Sequence, residues 1–562
     1  MESDIRKGFQ LSMQSRRREK PEMTLLHASR RRWLIQAGAL ASSTALPLWM
    51  PGASAQSQST LSALPRVALV IGNTKYIEAP LKNPGNDAKG IAGELQKLGF
   101  QVSLKLDAGR NEMIDAIRAF GGELAKKKGV GMFYYAGHGA QLAWKNYLIP
   151  VDALIDRIED MQSKTVELNS LLEGLIKAQN PMNVIILDAC RDNPFGTKVH
   201  SQQKGLSQFD APPGSLLAYA TSPGNTAADG EGANGLYTEN LLRELKVPDA
   251  KIEDVFKRVR LNVRRKSEGQ QIPWESTSLE EDFYFLPPQQ VKKLSEQDLE
   301  KAFNEELAIW EKIKNSKEPA PLVAYLQKYP SGSFSELAHL QLERVLAKEG
   351  EKKVRIASQE GNPFTRGSAE ANMKWQVGDS YIYQRTDLLG VEAPRQGART
   401  VTEVTDSEVR YSNGEVTDLL GNVLRRGGGR IYSPNQLEPL DYVVGKQWTT
   451  QFRITTPRGA TGRNEMYLRI VAREPITVPA GTFNAFRIEG HGVFEVEGGG
   501  VEVTMLTKWA VPDQLRREVA MQETRERSGG KGGGRGGKRG AGRGGSKMTQ
   551  SLRWELVSFK QS

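Results

Sequence analysis

The chain has 562 residues, 38% hydrophobic and 25% charged, with a formal net charge of +11 and a single cysteine. That length exceeds one core and calls for several domains. One thiol excludes an intramolecular disulfide and any multi-cysteine zinc or iron–sulfur site. The charge is local. Residues 1–55 carry +5 (nine Lys/Arg against four Asp/Glu) and residues 524–547 carry +7 (eight against one), which leaves −1 for the rest. The basic balance therefore does not mark the folded body as a nucleic-acid surface, and no specific nucleic acid is expected as a partner.

Residues 1–55 read as a signal peptide. Ser29-Arg30-Arg31-Arg32-Trp33-Leu34 resembles the twin-arginine export motif, and the apolar run after it is too short and weak for a membrane span. Ala53-Ser54-Ala55 supplies a small-x-small cleavage pattern before Gln56. Met23 as the start would leave an ordinary short basic region. The expected mature chain is periplasmic or secreted and has no transmembrane span. Residues 56–65 read as a linker.

From 66 to 290 the pattern alternates. RVALVIGN (66–73), FQVSLKLD (100–107), VGMFYYAGHG (130–139), MNVIILDAC (182–190) and GSLLAYATS (214–222) read as strands. Helices are expected over 86–100, 111–129, 167–180, 234–246 and 251–266. Strands alternating with helices imply an α/β domain with a mostly parallel sheet covered on both faces, its sites beyond the strand C-termini. Residues 291–350 read as a helical spacer, with Leu299, Phe303, Leu307 and Trp310 on one stripe and one tetratricopeptide-like unit. Residues 351–372 read as a polar linker. Residues 373–562 read as an all-β barrel or sandwich, with turns at Asn413-Gly414, Gly421-Asn422 and Ala480-Gly481. A Gly/Arg/Lys-rich loop, 527–547, interrupts this domain and suits contact with an anionic polymer.

Cys190 stands where the buried strand MNVIILDAC runs out into Arg191 and Asp192. A free cysteine is most often a small core residue, but a thiol at the polar end of a parallel strand has the exposure a nucleophile needs. Such a thiol needs a base. Of the five histidines, His27, His200, His339 and His491 lie in the signal, a polar loop, the spacer and the β domain. His138 ends a buried strand of the same sheet between two glycines, 52 residues before Cys190. Parallel strands bring both to one sheet edge, and that order and interval are those of caspases.

YAGHG (135–139) and LDACRDNPF (187–195), supported by RVALVIGN, LKNPGNDAKG, GSLLAYATSPGNTA, NGLYTENLL and GQQIPWESTSL, resemble the caspase-like superfamily over residues 66–287. The likeness is to the bacterial metacaspase and orthocaspase branch. Ala136 stands where many metacaspases have Ser, and Pro84 where Cys is frequent. The resemblance implies a six-stranded sheet and a cysteine endopeptidase with a His138–Cys190 dyad. It also implies an oxyanion hole from the backbone N–H groups of Gly139 and Cys190, with a backbone carbonyl orienting the imidazole.

Asp188 and Cys190, two apart on a strand, share a face. Asp188 with Asp87, which matches the family's second pocket acid, implies a specificity pocket for a peptide substrate with Arg or Lys at P1. Loop-capping for Asp188 and a helix N-terminal role for Asp87 are the structural alternatives. Asp192 and Asp229 have weaker claims, and Lys198 and Lys204 are self-processing candidates. No metal or cofactor is expected; related enzymes can need calcium, but no EF-hand spacing is present. The rival reading is an inactive caspase-like recognition module whose β domain binds an envelope component.

Overall fold

The computed structural model describes residues 60–190, 205–222, 232–279, 281–288, 295–351, 362–496, 500–527 and 547–561. The signal segment, Asp192, Lys198, His200, Lys204, Asp229 and the interior of the basic loop lie outside them.

The α/β domain contains β1 (Arg66–Gly72), α1 (Pro84–Lys97), β2 (Phe100–Leu106), α2 (Arg110–Lys127), β3 (Val130–Leu142) and β4 (Lys145–Leu148). It continues through α3 (Asp160–Lys164), β5 (Val166–Glu167), α4 (Leu168–Ala178), β6 (Met182–Cys190), β7 (Ser215–Tyr219), α5 (Leu236–Glu244), α6 (Ile252–Lys266) and β8 (Trp274–Thr277). The sheet order is β2-β1-β3-β6-β7-β8, parallel up to β7, with β8 antiparallel at the edge and β4 paired to the end of β3. The six-stranded, mostly parallel sheet is thus as expected. The near-continuous apolar strands follow from burial on both faces. On one face Ile91 and Leu95 of α1, Tyr237 and Leu241 of α5, and Ile252, Val255, Phe256, Val259 and Val263 of α6 form a core with Val130, Met132, Val184 and Ile186. The 3–4 spacing on α6 gives the stripe that an amphipathic helix buries. On the other face α2 and α4 cover Phe133, Ile185 and Leu187.

The spacer comprises α7 (Glu296–Ile313), α8 (Pro319–Lys328) and α9 (Ser335–Lys348), closed around Phe303, Trp310, Tyr325 and Phe334. A Ser295–Asp298 capping box starts α7. These helices are docked on α6: Leu261 enters their core, and Arg264 pairs with Glu343.

The C-terminal domain starts with β9 (Ser368–Glu370), then β10 (Ser380–Asp387), β11 (Arg395–Val404), β12 (Glu408–Tyr411), β13 (Val416–Asp418), β14 (Val423–Arg425), β15 (Ile431–Tyr432) and β16 (Asp441–Val443). It ends with β17 (Gln447–Thr455), β18 (Thr461–Val478), β19 (Gly481–Val496), β20 (Gly500–Ala510), β21 (Ala520–Arg527) and β22 (Lys547–Lys560). Twelve strands, all but β9 and β16, close into a barrel when β22 pairs back onto β10. Residues of β18 alternate between buried and half-buried along most of its length, so one face supplies the interior with Met466, Leu468 and Ile470.

Residues 362–372, read from the sequence as linker, carry specific contacts. Asn362 Nδ2 donates to Ser207 Oγ and to the Gln208 carbonyl, both at 2.8 Å, and Phe364 stacks on Phe209 at 4.7 Å. The barrel itself meets the outer edge of β8. Gly445 has φ +98°, and a Cβ there would overlap the Thr277 carbonyl oxygen, while Gln447 donates to the Leu279 carbonyl. Only glycine fits both demands.

Between α6, β8, α9 and the barrel lies a cavity of about 1160 Å³, away from His138 and Cys190. Its charges are largely cross-paired: Arg260 with Glu275, and Lys446 with Glu336 at 3.0 Å and Asp441 at 2.6 Å. Burial, with Arg260, Lys257 and Arg264 adding repulsion against Glu336's attraction, lowers His339 from 6.5 to about 4. The unfolded chain then binds a proton between about pH 4 and 6.5 that the folded chain does not, so stability falls as pH drops through that window. Urea unfolding at pH 4.5 and 7.5 should show this loss, and His339→Gln should reduce it.

Candidate active site

β3 and β6 are neighbours in register, and the last pair of the ladder is His138 with Cys190. The two Cα atoms therefore stand one strand spacing apart, about 5 Å, at the C-terminal edge of the sheet. Their neighbours Gly137 and Ala189 form the preceding pair.

His138 is buried (6% exposed) and held on several sides. Its backbone N–H donates to Tyr76 Oη at 2.8 Å, and its carbonyl accepts from Tyr135 Oη at 2.7 Å and from the Ile149 N–H at 3.1 Å. The Tyr76 and His138 rings lie 4.4 Å apart. Nε2 lies 2.7 Å from the Ala79 carbonyl oxygen. A carbonyl only accepts, so Nε2 carries the hydrogen, and Nδ1 holds the lone pair of the neutral ring. Ala79 is itself in the left-handed region, φ +54°, a local strain that aims this carbonyl. The Ala79 carbonyl thus holds the imidazole from the backbone, a contact that no side-chain pattern could have supplied.

Gly137 has φ +154°, and a Cβ there would overlap Tyr76 Oη and come within 2.8 Å of Tyr135 Oη. Those are the hydroxyls that hold the His138 backbone. Gly137→Ala should cost about 1–3 kcal/mol, read as a shift in denaturation midpoint, and should lower activity further because His138 shifts with the tyrosines. Along a strand, successive residues direct their N–H and C=O groups to opposite sides. Those of His138 are taken by Tyr76 and Ile149, so the amide of Gly139 faces the β6 side, where Cys190 stands.

Asp188, half-buried, accepts at Oδ2 from Thr238 Oγ1 at 2.6 Å and from Tyr134 Oη at 3.2 Å. Asp87, 3% exposed, sits in the first turn of α1, as the helix-terminal alternative requires. Its Oδ1 nevertheless accepts from Asn234 Nδ2 and the Gly235 N–H, both at 2.9 Å, and so ties α1 to the start of α5. The two acids share a neighbourhood. Burial first, then the Asp188 and Asp87 carboxylates, push the Tyr134 phenol well above its ordinary value. Tyr237 is raised by burial and Asp188. Tyr134, Thr238, Asn234 and Tyr76 were not singled out in the sequence, where Tyr134 falls in a buried strand, Asn234 and Thr238 in a helix and Tyr76 in no expected element. Among the described residues no group of three or more His, Cys, Asp or Glu is arranged to hold a metal.

Residues 65–284 match the caspase domain. Within the chain, 193 residues are 31% identical to mucosa-associated lymphoid tissue lymphoma translocation protein 1 of Homo sapiens, covering 33% of this chain and 22% of that protein. The Mus musculus homolog gives the same figures. The chain thus spans about a fifth of the length of the curated relatives it matches. The caspase domain belongs to a cysteine peptidase family, and His138, Cys190, Asp87 and Asp188 all fall inside the matched span. Helices α7–α9 and the barrel lie beyond it.

Proposed function

We propose that the caspase domain is a cysteine endopeptidase that cleaves after Arg or Lys with a His138–Cys190 dyad. The pairing of His138 with Cys190 at the end of the β3–β6 ladder carries this reading. The imidazole tautomer set by Ala79 supports it, because Nδ1 is then the proton acceptor. Nδ1 takes the thiol proton as sulfur attacks the scissile carbonyl and an S–C bond forms. Backbone N–H groups of Gly139 and Cys190 receive the charge that develops on the carbonyl oxygen. His138 then gives its proton to the leaving amine as the C–N bond breaks. Water, with its proton taken by His138, attacks the thioester and returns the free thiol.

Asp188 and Asp87 supply the selectivity in this reading. Thr238, Tyr134 and Asn234 fix the two carboxylates before substrate arrives, which removes part of the ordering cost of binding. A P1 guanidinium can take two hydrogen bonds from one carboxylate, and a P1 ammonium takes one point contact. A fluorogenic peptide set varied at P1, read with the full chain, tests the proposal; a preference for Asp at P1 would sink it.

Export through the twin-arginine route is proposed from the N-terminal pattern alone. The mature N-terminus should map near Gln56 by mass spectrometry, and lysine at Arg30 and Arg31 should hold the precursor in the cytoplasm.

A further inference from the structure

Six of the barrel's hairpins turn at one end, that of β12 and β13 beside the Arg410↔Val416 pair among them. β17 runs into β18 there, β19 into β20, β21 into β22, β10 into β11, and β14 into β15; the register pairs Thr455↔Thr461, Val496↔Gly500, Arg527↔Lys547, Arg385↔Arg395 and Arg425↔Ile431 stand next to the turns. The opposite end, with Gly445 and Gln447, meets the caspase domain. The tips therefore stand at the end of the barrel away from that contact.

These tips present two chemistries side by side. Leu388, Leu389 and Val391 are exposed on the β10–β11 turn, Val391 by 81%, and Val501 and Val503 are exposed beside the β19–β20 turn. Ile431 is exposed at the β14–β15 turn. Scattered apolar residues are ordinary on a surface, but aliphatic side chains gathered on the turns at one end are not. Arg395, Arg425, Arg430, Arg458 and Arg527 are exposed at the same end. The acids there are largely matched: Glu392 lies 2.5 Å from Arg385, Glu495 3.3 Å from Arg463 and Glu502 3.5 Å from Arg525.

We propose that this end of the barrel docks on a bilayer rich in anionic phospholipid. Aliphatic turns enter the acyl boundary while the arginines pair with phosphate, the two-signal combination that stable peripheral attachment requires. The aliphatic tips favour lipid over a nucleic acid, whose single strands are met by stacking platforms in a basic groove. The inference does not depend on the peptidase reading.

The test is sedimentation of the full chain with vesicles of phosphatidylcholine alone or of phosphatidylcholine and phosphatidylglycerol at 3:1. Binding to the mixed vesicles should be at least about 10-fold stronger and should weaken as salt screens the headgroups. Val391→Asp with Val501→Asp should lose about 10-fold or more on the same vesicles, since each replaces an aliphatic side chain that enters the acyl boundary by a charge that does not. An unchanged thermal midpoint checks the fold; if that pair does not fold, Leu389→Ser with Val503→Ser replaces it and should show the same direction of loss. No preference for the anionic vesicles overturns the proposal. So does undiminished binding by the substituted chain, or complete displacement of vesicles by duplex DNA of equal phosphate content.

Discussion

Cys190→Ala should lose hydrolysis of an Arg-P1 peptide by about 10⁴-fold or more, the scale on which nucleophile removal acts in other dyad and triad peptidases. His138→Ala should lose nearly as much, and the double variant little further, because the two act on one step. The expectation has a second readout that hydrolysis alone lacks. Cys190 is the only thiol in the chain, so iodoacetamide labels one position. His138→Ala should slow that labelling by withdrawing the base that raises thiolate character. Both variants should keep the unfolding midpoint within about 1–2 kcal/mol, which separates lost chemistry from lost fold. Cys190→Ala with full activity would remove the dyad.

Asp188→Asn should lower kcat/KM for Arg and Lys substrates by about 100-fold while iodoacetamide labelling is unchanged. The substitution keeps the shape of the side chain beside Thr238 and Tyr134 and removes its charge. An Asp-P1 peptide meets like charge in the native pocket and gains relative to Arg in the variant. Asp87→Asn should show the smaller change in selectivity. It should also cost about 1 kcal/mol of stability, because Asp87 lies in the first turn of α1 and bonds the Gly235 N–H. Profiles unchanged in both variants would take these residues out of the pocket.

The parts of this architecture legible in the sequence are those set by local pattern. Four consecutive apolar residues before Asp188 bounded β6 at Met182 and Cys190. Gly-His-Gly late in a buried strand singled out His138, although β3 runs on past it to Leu142. Asp188 followed from its place two before Cys190 on one strand, but Asp87 required the family resemblance, since an acid in a first helical turn reads equally as a helix-terminal residue. Long-range features were not legible. Barrel closure joins Tyr381 to Phe559, and no local pattern records which distant strand returns to the first. Ala79 acts through its carbonyl, so its residue type carries no signal. Tyr134 reads as core because its ring is core, and only its hydroxyl reaches Asp188. β8 is four residues long, three of them polar, too short for a period to show. Residues 362–372 look like linker because their polar side chains bond protein partners instead of water.

The contact of Gly445 with Thr277 also bears on how the sheet could meet a second copy. Thr277 lies on β8, the last strand of the sheet on that side, and an open last strand is a template for a strand from another molecule. Here the chain's own barrel stands against one end of it, at Thr277, while Trp274–Thr277 otherwise line the cavity. Two copies that joined their sheets along β8 would have to clear the barrel from that end. An obstacle to sheet pairing is thus supplied by a domain outside the caspase match.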